Sequence, residues 1–168
     1  MSGKRKISFA LIITIAFSGF LNAETTEIDW KPLGKAVELA KKDGKPVYVY
    51  LFRNGCGWCK KFKNKTLAKS EIIEQLSENF YSCQLNSSST KKQEFNGEKL
   101  TEGQLAAMFA VRGVPTSAFL DSDGKIIAKL PGFMSSDQFL NVLKYIGKGW
   151  YKDMTYQEFL ESEDKLKK

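Results

Sequence analysis

Histidine is absent from all 168 residues, and cysteine occurs only three times. The first absence excludes Ser-His-Asp and Cys-His catalysis, imidazole-ligated metal and an imidazole pH switch. The second excludes a disulfide scaffold and leaves too few thiols for a four-thiolate metal site. Internal repeats and a long linker are missing too, and the length suits one domain with a full core rather than two packed ones. An apolar share of 42% and a charged share of 27% are globular values, which excludes a disordered chain.

The one extended apolar run lies at the start. Residues 7–21 are apolar apart from Ser8, Thr14, Ser18 and Gly19; Lys4, Arg5 and Lys6 precede them, and Ala23 and Glu24 follow. A basic beginning, an apolar centre and a small residue before a polar stretch are the layout of a secretory signal peptide, here residues 1–23 with cleavage after Ala23. The run is short for a membrane span, which needs about 20 apolar residues. Leu21 stands where a small side chain is preferred, which keeps open an uncleaved segment anchoring the chain in an inner membrane. The expected location is periplasmic or otherwise extracytoplasmic. Removing 23 residues with three cations and no acids would lower the net charge from +7 to +4. The remaining lysines are mixed with Glu and Asp, so no nucleic-acid partner is expected, nor stable membrane insertion after cleavage.

The expected mature domain is 24–168, with a core over about 30–147 and a C-terminal extension over 148–168. Leu33, Ala36, Val37 and Ala40 recur at helical spacing until Asp43-Gly44 stops them. Residues 46–52 form a short β-branched and aromatic run, read as a strand covered on both faces. A helix opens within the cysteine motif, and Ser70 is a candidate N-cap for the next, with Ile72, Ile73 and Leu76 inward. Residues 80–85 read as a strand and 86–99 as a polar surface loop with an Asn96-Gly97 turn signal. Thr101 with Gln104, and Thr155 with Glu158, have capping-box spacing. Residues 117–120 and 125–130 flank Asp121-Ser122-Asp123-Gly124 as a hairpin. Ser136 precedes a helix bearing Phe139, Leu140 and Leu143, and Trp30, Trp150 and the Phe residues are assigned to the core or to helix packing. The alternation describes an α/β domain, a mixed sheet with helices on both faces.

The chemistry concentrates in Cys56-Gly57-Trp58-Cys59. Two thiols three apart, where a buried strand gives way to a helix, can close a small disulfide ring. Unpaired N–H groups at the helix start favour a thiolate at Cys56, and a thiolate is the form that attacks disulfides. Cys59, one turn inward, can resolve the mixed disulfide. Arg53, Lys60 and Lys61 would favour the Cys56 thiolate further. Three uses of the pair compete. A zinc site needs two more ligands, and only Cys83 is on offer. A static bridge gains little from so small a loop. Redox exchange fits the strand-to-helix setting best, and an extracytoplasmic address adds to it. Cys83, on one face of a strand with Tyr81 and Leu85, reads as a small buried hydrophobe.

Cys56-Gly57-Trp58-Cys59-Lys60, followed far downstream by Arg112-Gly113-Val114-Pro115-Thr116, resembles the thioredoxin superfamily. Leu85-Asn86, the inserted loop, residues 97–101, Gly124-Lys125, Leu130-Pro131-Gly132 and Tyr151-Lys152-Asp153 are similar to the periplasmic thioredoxins found with sulfur-oxidation systems (SoxW-like), over nearly all of 45–160. The resemblance implies a thioredoxin fold, with a central mixed β-sheet flanked by helices on both faces, an inserted loop and a C-terminal helical extension. It implies Cys56 as nucleophile, Cys59 as resolving thiol, and a cis-proline at Pro115 that faces the disulfide and bares the Val114 backbone to an extended client strand. Trp58, between the cysteines, becomes a client-contacting platform or a rim aromatic. Implied partners are client proteins with disulfides and a membrane thiol-electron transporter as donor; no cofactor and no metal are expected. The rivals are an oxidant or isomerase using the same site, a non-catalytic binding module using the Val114-Pro115 groove, and a metal carrier. One departure stands out: the family places a buried acid six residues before the first cysteine, and here that position is Tyr50.

Overall fold

A computed structural model describes residues 27–166; the signal-peptide reading lies outside them. The strand predicted at 46–52 is β2 (Val47–Phe52), the centre of a five-stranded sheet. It runs parallel to β3 (Tyr81–Asn86) and antiparallel to β6 (Thr116–Leu120). Two further strands complete the sheet: β1 (Trp30–Lys31) beside β3, and β7 (Ile126–Pro131) beside β6. Strands pair with both edges of β2 and helices pack on both sides of the sheet, so its apolar run is buried on both faces, as the absence of alternation requires.

The two-residue period of β2 sorts its side chains between two cores. Val47, Val49 and Leu51 face one side, where α1 (Leu33–Asp43) contributes Leu33, Ala36 and Ala40, and α4 (Glu102–Met108) contributes Leu105. Tyr48 and Tyr50 face the other, against Phe62 of α2 (Gly57–Phe62), Ile72 and Leu76 of α3 (Ser70–Asn79), and Phe139 and Leu143 of α5 (Ser136–Gly147). Each Val, Leu, Ile or Phe among them contributes about 1.5–3 kcal/mol by leaving water. This three-layer arrangement is the thioredoxin fold expected from the resemblance. Its consequence for the site is that α2 starts just beyond the C-terminal end of a strand clamped on every side.

Several local expectations need correction. Residues 86–99 are not a plain loop: β4 (Lys92–Phe95) and β5 (Glu98–Thr101) form a hairpin. Asn96 and Gly97 both take positive φ, the twist a two-residue hairpin turn needs. Phe95 and Leu100 share the face that packs against the core, and the opposite face is polar; two apolar side chains are too few to announce an alternation. The hairpin closes on α1, where a Cβ on Gly34 would lie 2.5 Å from the Glu94 carbonyl oxygen. The Gln93 side chain accepts a hydrogen bond from Leu33 N at 3.1 Å. Ser70 is the first residue of α3 rather than its cap; Lys69 holds the cap position without a side-chain bond. Ser135, not Ser136, caps α5, because only from there do its hydroxyl and Gln138 close a reciprocal box. A π-helical turn (Lys63–Leu67) extends α2, and β1 is too short to show in the sequence. Trp150 is exposed, in a 3-10 turn (Trp150–Lys152), and belongs to no core.

Beyond that turn, α6 (Tyr156–Leu166) folds back on α5, with Tyr145 against the Tyr156 and Phe159 rings at 5.3 and 5.4 Å. Thr155 and Glu158 exchange the two capping bonds their spacing predicts, and so do Thr101 and Gln104. Among the described residues, no helix is long and apolar enough to cross a membrane.

Candidate active site

β2 ends at Phe52, and residues 53–56 turn the chain so that Cys56 becomes the N-cap of α2. Gly55, at φ 78°, permits the turn. The Cys59 backbone N–H donates to Cys56 Sγ at 3.1 Å, so the sulfur occupies the place a capping oxygen would take. Cys56 and Cys59 are joined as a disulfide. The two sulfurs are unequal in access: Cys56 is half-buried, whereas Cys59 is only 4% exposed.

The downstream motif meets them. The Val114–Pro115 peptide bond is cis, and the Val114 carbonyl oxygen lies 3.7 Å from Cys56 Sγ. Thr116 fixes the approach by donating from its hydroxyl to the Gly113 carbonyl at 2.7 Å. Gly132 N donates to the Pro115 carbonyl at 2.8 Å, which brings the loop after β7 to the same rim. Trp58, 59% exposed, projects beside that loop with its ring 5.9 Å from Phe133. The Lys61 ammonium lies 4.6 Å from the Trp58 ring centre and 4.9 Å from that of Phe133. That is cation–π distance. Cys56, Trp58, Cys59, Val114 and Pro115 are thus brought together. Phe133 was missed by sequence reasoning; its only signal is the Pro131-Gly132 turn beside it.

Behind the cysteines, the position expected to hold an acid holds a phenol. Tyr50 donates to the Cys59 carbonyl at 2.9 Å. Its ring is wedged among Trp30, Phe52 and Phe62 at 5.4–6.2 Å. Burial pushes its pKa up to about 12, so the hydroxyl stays protonated and serves as a donor. Across the parallel register Tyr50 pairs with Gln84, and both line a hollow of about 210 Å³ with Cys56, Cys59, Lys60 and Lys63. No carboxylate lines this hollow.

Cys83 stands apart as a free, buried thiol. Burial, and secondarily the Glu102 carboxyl, push its pKa up to about 12, which makes it an inert thiol as the sequence suggested. Among the described residues, no group of three or more His, Cys, Asp and Glu side chains is placed to hold a metal.

The model of the thioredoxin-like domain matches residues 33–147, the span from α1 to the end of α5. The thiol:disulfide interchange protein DsbD of Yersinia pestis is 32% identical over 136 residues, covering 77% of this chain and 21% of the relative. This chain therefore corresponds to about a fifth of that relative's length. The disulfide bond reductase DsbH of Chlamydia pneumoniae is 24% identical over 104 residues, 61% of this chain and 62% of the relative. A thioredoxin-fold protein from Helicobacter pylori superposes with a TM-score of 0.67 at 27% identity, covering 88% of this chain and 97% of that one. With the matched domain taking in most of the described residues and the cysteine pair at the expected junction, the chain belongs to the thioredoxin-like domain family.

Proposed function

We propose that this chain is an extracytoplasmic thiol–disulfide oxidoreductase that reduces disulfides in partner proteins. The observation that carries the reading is the paired Cys56 and Cys59 at the mouth of α2, with the more accessible sulfur set against the cis Val114–Pro115 bond. In the reduced protein, the Cys56 thiolate attacks one sulfur of a partner disulfide and the other partner sulfur leaves as a thiolate. Cys59 then loses its proton to water and attacks Cys56 Sγ. The second partner sulfur departs, two electrons have passed to the partner, and Cys56–Cys59 is oxidised. The N–H of Cys59, aimed at Cys56 Sγ, favours the thiolate that begins the cycle. The Val114 backbone offers main-chain pairing to an extended client segment, with Trp58 as a neighbouring platform.

The reductive direction is supported by the name of the Chlamydia relative, a disulfide bond reductase. The extracytoplasmic address is supported by the layout of residues 1–23. Regeneration needs a dithiol donor, for which a membrane thiol-electron transporter is the proposed source. A Cys59→Ser variant tests the reading: it should hold clients as mixed disulfides through Cys56, and Cys56→Ser should hold none. Failure of Cys59→Ser to capture any client in the native compartment would refute catalysis. A reduction potential far above that of glutathione would reverse the direction and make the protein an oxidant.

A further inference from the structure

We propose that the rim around Cys56 is a docking surface for acidic client segments, so that disulfides flanked by carboxylates are the preferred substrates. This inference rests on the reductase reading above and names its substrate class.

The carrying observation is the segregation of charge. From residue 53 to residue 70 the chain has six cations, Arg53, Lys60, Lys61, Lys63, Lys65 and Lys69, and no acid. The loop before Val114 adds Arg112, and neither residues 109–120 nor 131–136 contain an acid. All seven cations are exposed. The ion pairs among the described residues lie elsewhere, at Lys31–Asp29, Lys35–Glu38 and Lys144–Glu163. The rest of residues 27–166 carries 14 Lys and Arg against 18 Asp and Glu, a net charge of −4, and these seven cations alone turn the total to +3. A surface shaped only for solubility interleaves both signs. Here one sign is gathered in the segment that carries the cysteine pair and in the loop before Val114, while the other prevails over the remainder of residues 27–166.

Placement decides what the charge is for. Arg53, Lys60 and Lys63 border the same hollow as Cys56 and Cys59. Arg112 is two residues from the carbonyl that approaches Cys56 Sγ, and Lys61 sits on the Trp58–Phe133 ledge. A client strand laid along Val114 would carry the residues flanking its cysteine over these cations. The field would speed encounter with acidic flanks and oppose basic ones. A reactive disulfide and a cis-proline edge at the centre suit a polypeptide; a phosphate polymer or a bilayer has no use for either.

The test uses three synthetic peptides, each with one internal disulfide, identical except for Glu, Ser or Lys on both sides of the cysteines. Reduction by the reduced full chain is followed by stopped flow, and each rate is divided by the rate with tris(hydroxypropyl)phosphine, whose reacting form is uncharged. At about 0.01 M ionic strength the Glu peptide should be reduced about tenfold faster than the Lys peptide. At about 1 M, where charges act over only about 3 Å, the two should converge. The double variant Lys63→Glu, Arg112→Glu should bring the low-salt ratio to one or below. Equal rates at low salt, or a preference that survives high salt, overturns the inference and leaves the reductase reading standing. Reduction of none of the three overturns that reading itself. Equal peptide rates with co-sedimentation on phosphatidylglycerol vesicles would reassign the rim to a bilayer.

Discussion

Tyr50→Phe isolates one hydroxyl at the heart of the site. The ring keeps its packing against Trp30, Phe52 and Phe62, and only the bond to the Cys59 carbonyl is lost. An intramolecular hydrogen bond contributes about 0.5–1.5 kcal/mol net, and an orphaned buried acceptor would add about 1–3 kcal/mol. The Cys59 carbonyl is not orphaned, because it also accepts from the Lys63 backbone N–H as the helix runs on. The expected cost is therefore about 1 kcal/mol, read as a lower urea midpoint at unchanged m, with a fall in Tm of about 3 °C. Tyr50→Ala, by contrast, empties the aromatic cluster and should cost about 3–5 kcal/mol, by analogy with Phe truncations. If the phenylalanine variant matched wild type, or lost as much as the alanine variant, this account of Tyr50 as a backbone clamp behind Cys59 would be wrong.

Gly34→Ala should cost about 1–3 kcal/mol, because the new methyl meets the Glu94 carbonyl and pushes the hairpin off α1; amide exchange across residues 92–101 should quicken, and unchanged exchange would show that the hairpin is not docked. Glu102→Ala removes the acceptor of Asn86 N and Gln93 Nε2, at 3.2 and 3.3 Å, and should cost about 1–3 kcal/mol in urea unfolding; a neutral result would mean that water replaces the carboxyl. Alkali should weaken the fold through Cys83. Its folded pKa, pushed up to about 12, exceeds the ordinary thiol value of 9.0, so its share of stability is whole below about pH 9 and is lost as pH rises toward 12. The limiting slope is about 1.4 kcal/mol per pH unit for that thiol. Cys83→Val should make the pH 9–12 decline shallower, and an identical decline would remove Cys83 from the explanation.

What was legible in the sequence followed the strength of the local physics. β2 declared itself because seven consecutive apolar or β-favouring residues have few other homes, and the α1 stop was written in Asp43-Gly44. The cysteine pair was legible as chemistry because its residue types admit few uses without histidine. Its meeting with Val114 and Pro115, some 58 positions on, came from family likeness, since no local rule brings such segments together. The β4–β5 hairpin escaped because its core-facing side carries only Phe95 and Leu100 as apolar residues, too few to mark a two-residue period. Tyr50 was noticed as a missing acid. That its hydroxyl would serve a carbonyl rather than a sulfur depends on ring packing, which no linear pattern encodes. Phe133 joined the rim through a turn whose direction is set by hydrogen bonds to the cis-proline loop.

The two-residue strand β1 also fixes the direction in which the polypeptide arrives. Trp30 lies level with Ser82, and so with Tyr48, near the start of β2. The sulfurs lie past its far end, more than about 13 Å away along the strand axis at about 3.3 Å per residue. Whatever precedes residue 27 thus reaches the domain at the pole remote from the chemistry. A tether there would leave the reactive mouth pointing away from its anchor and free to sweep for targets.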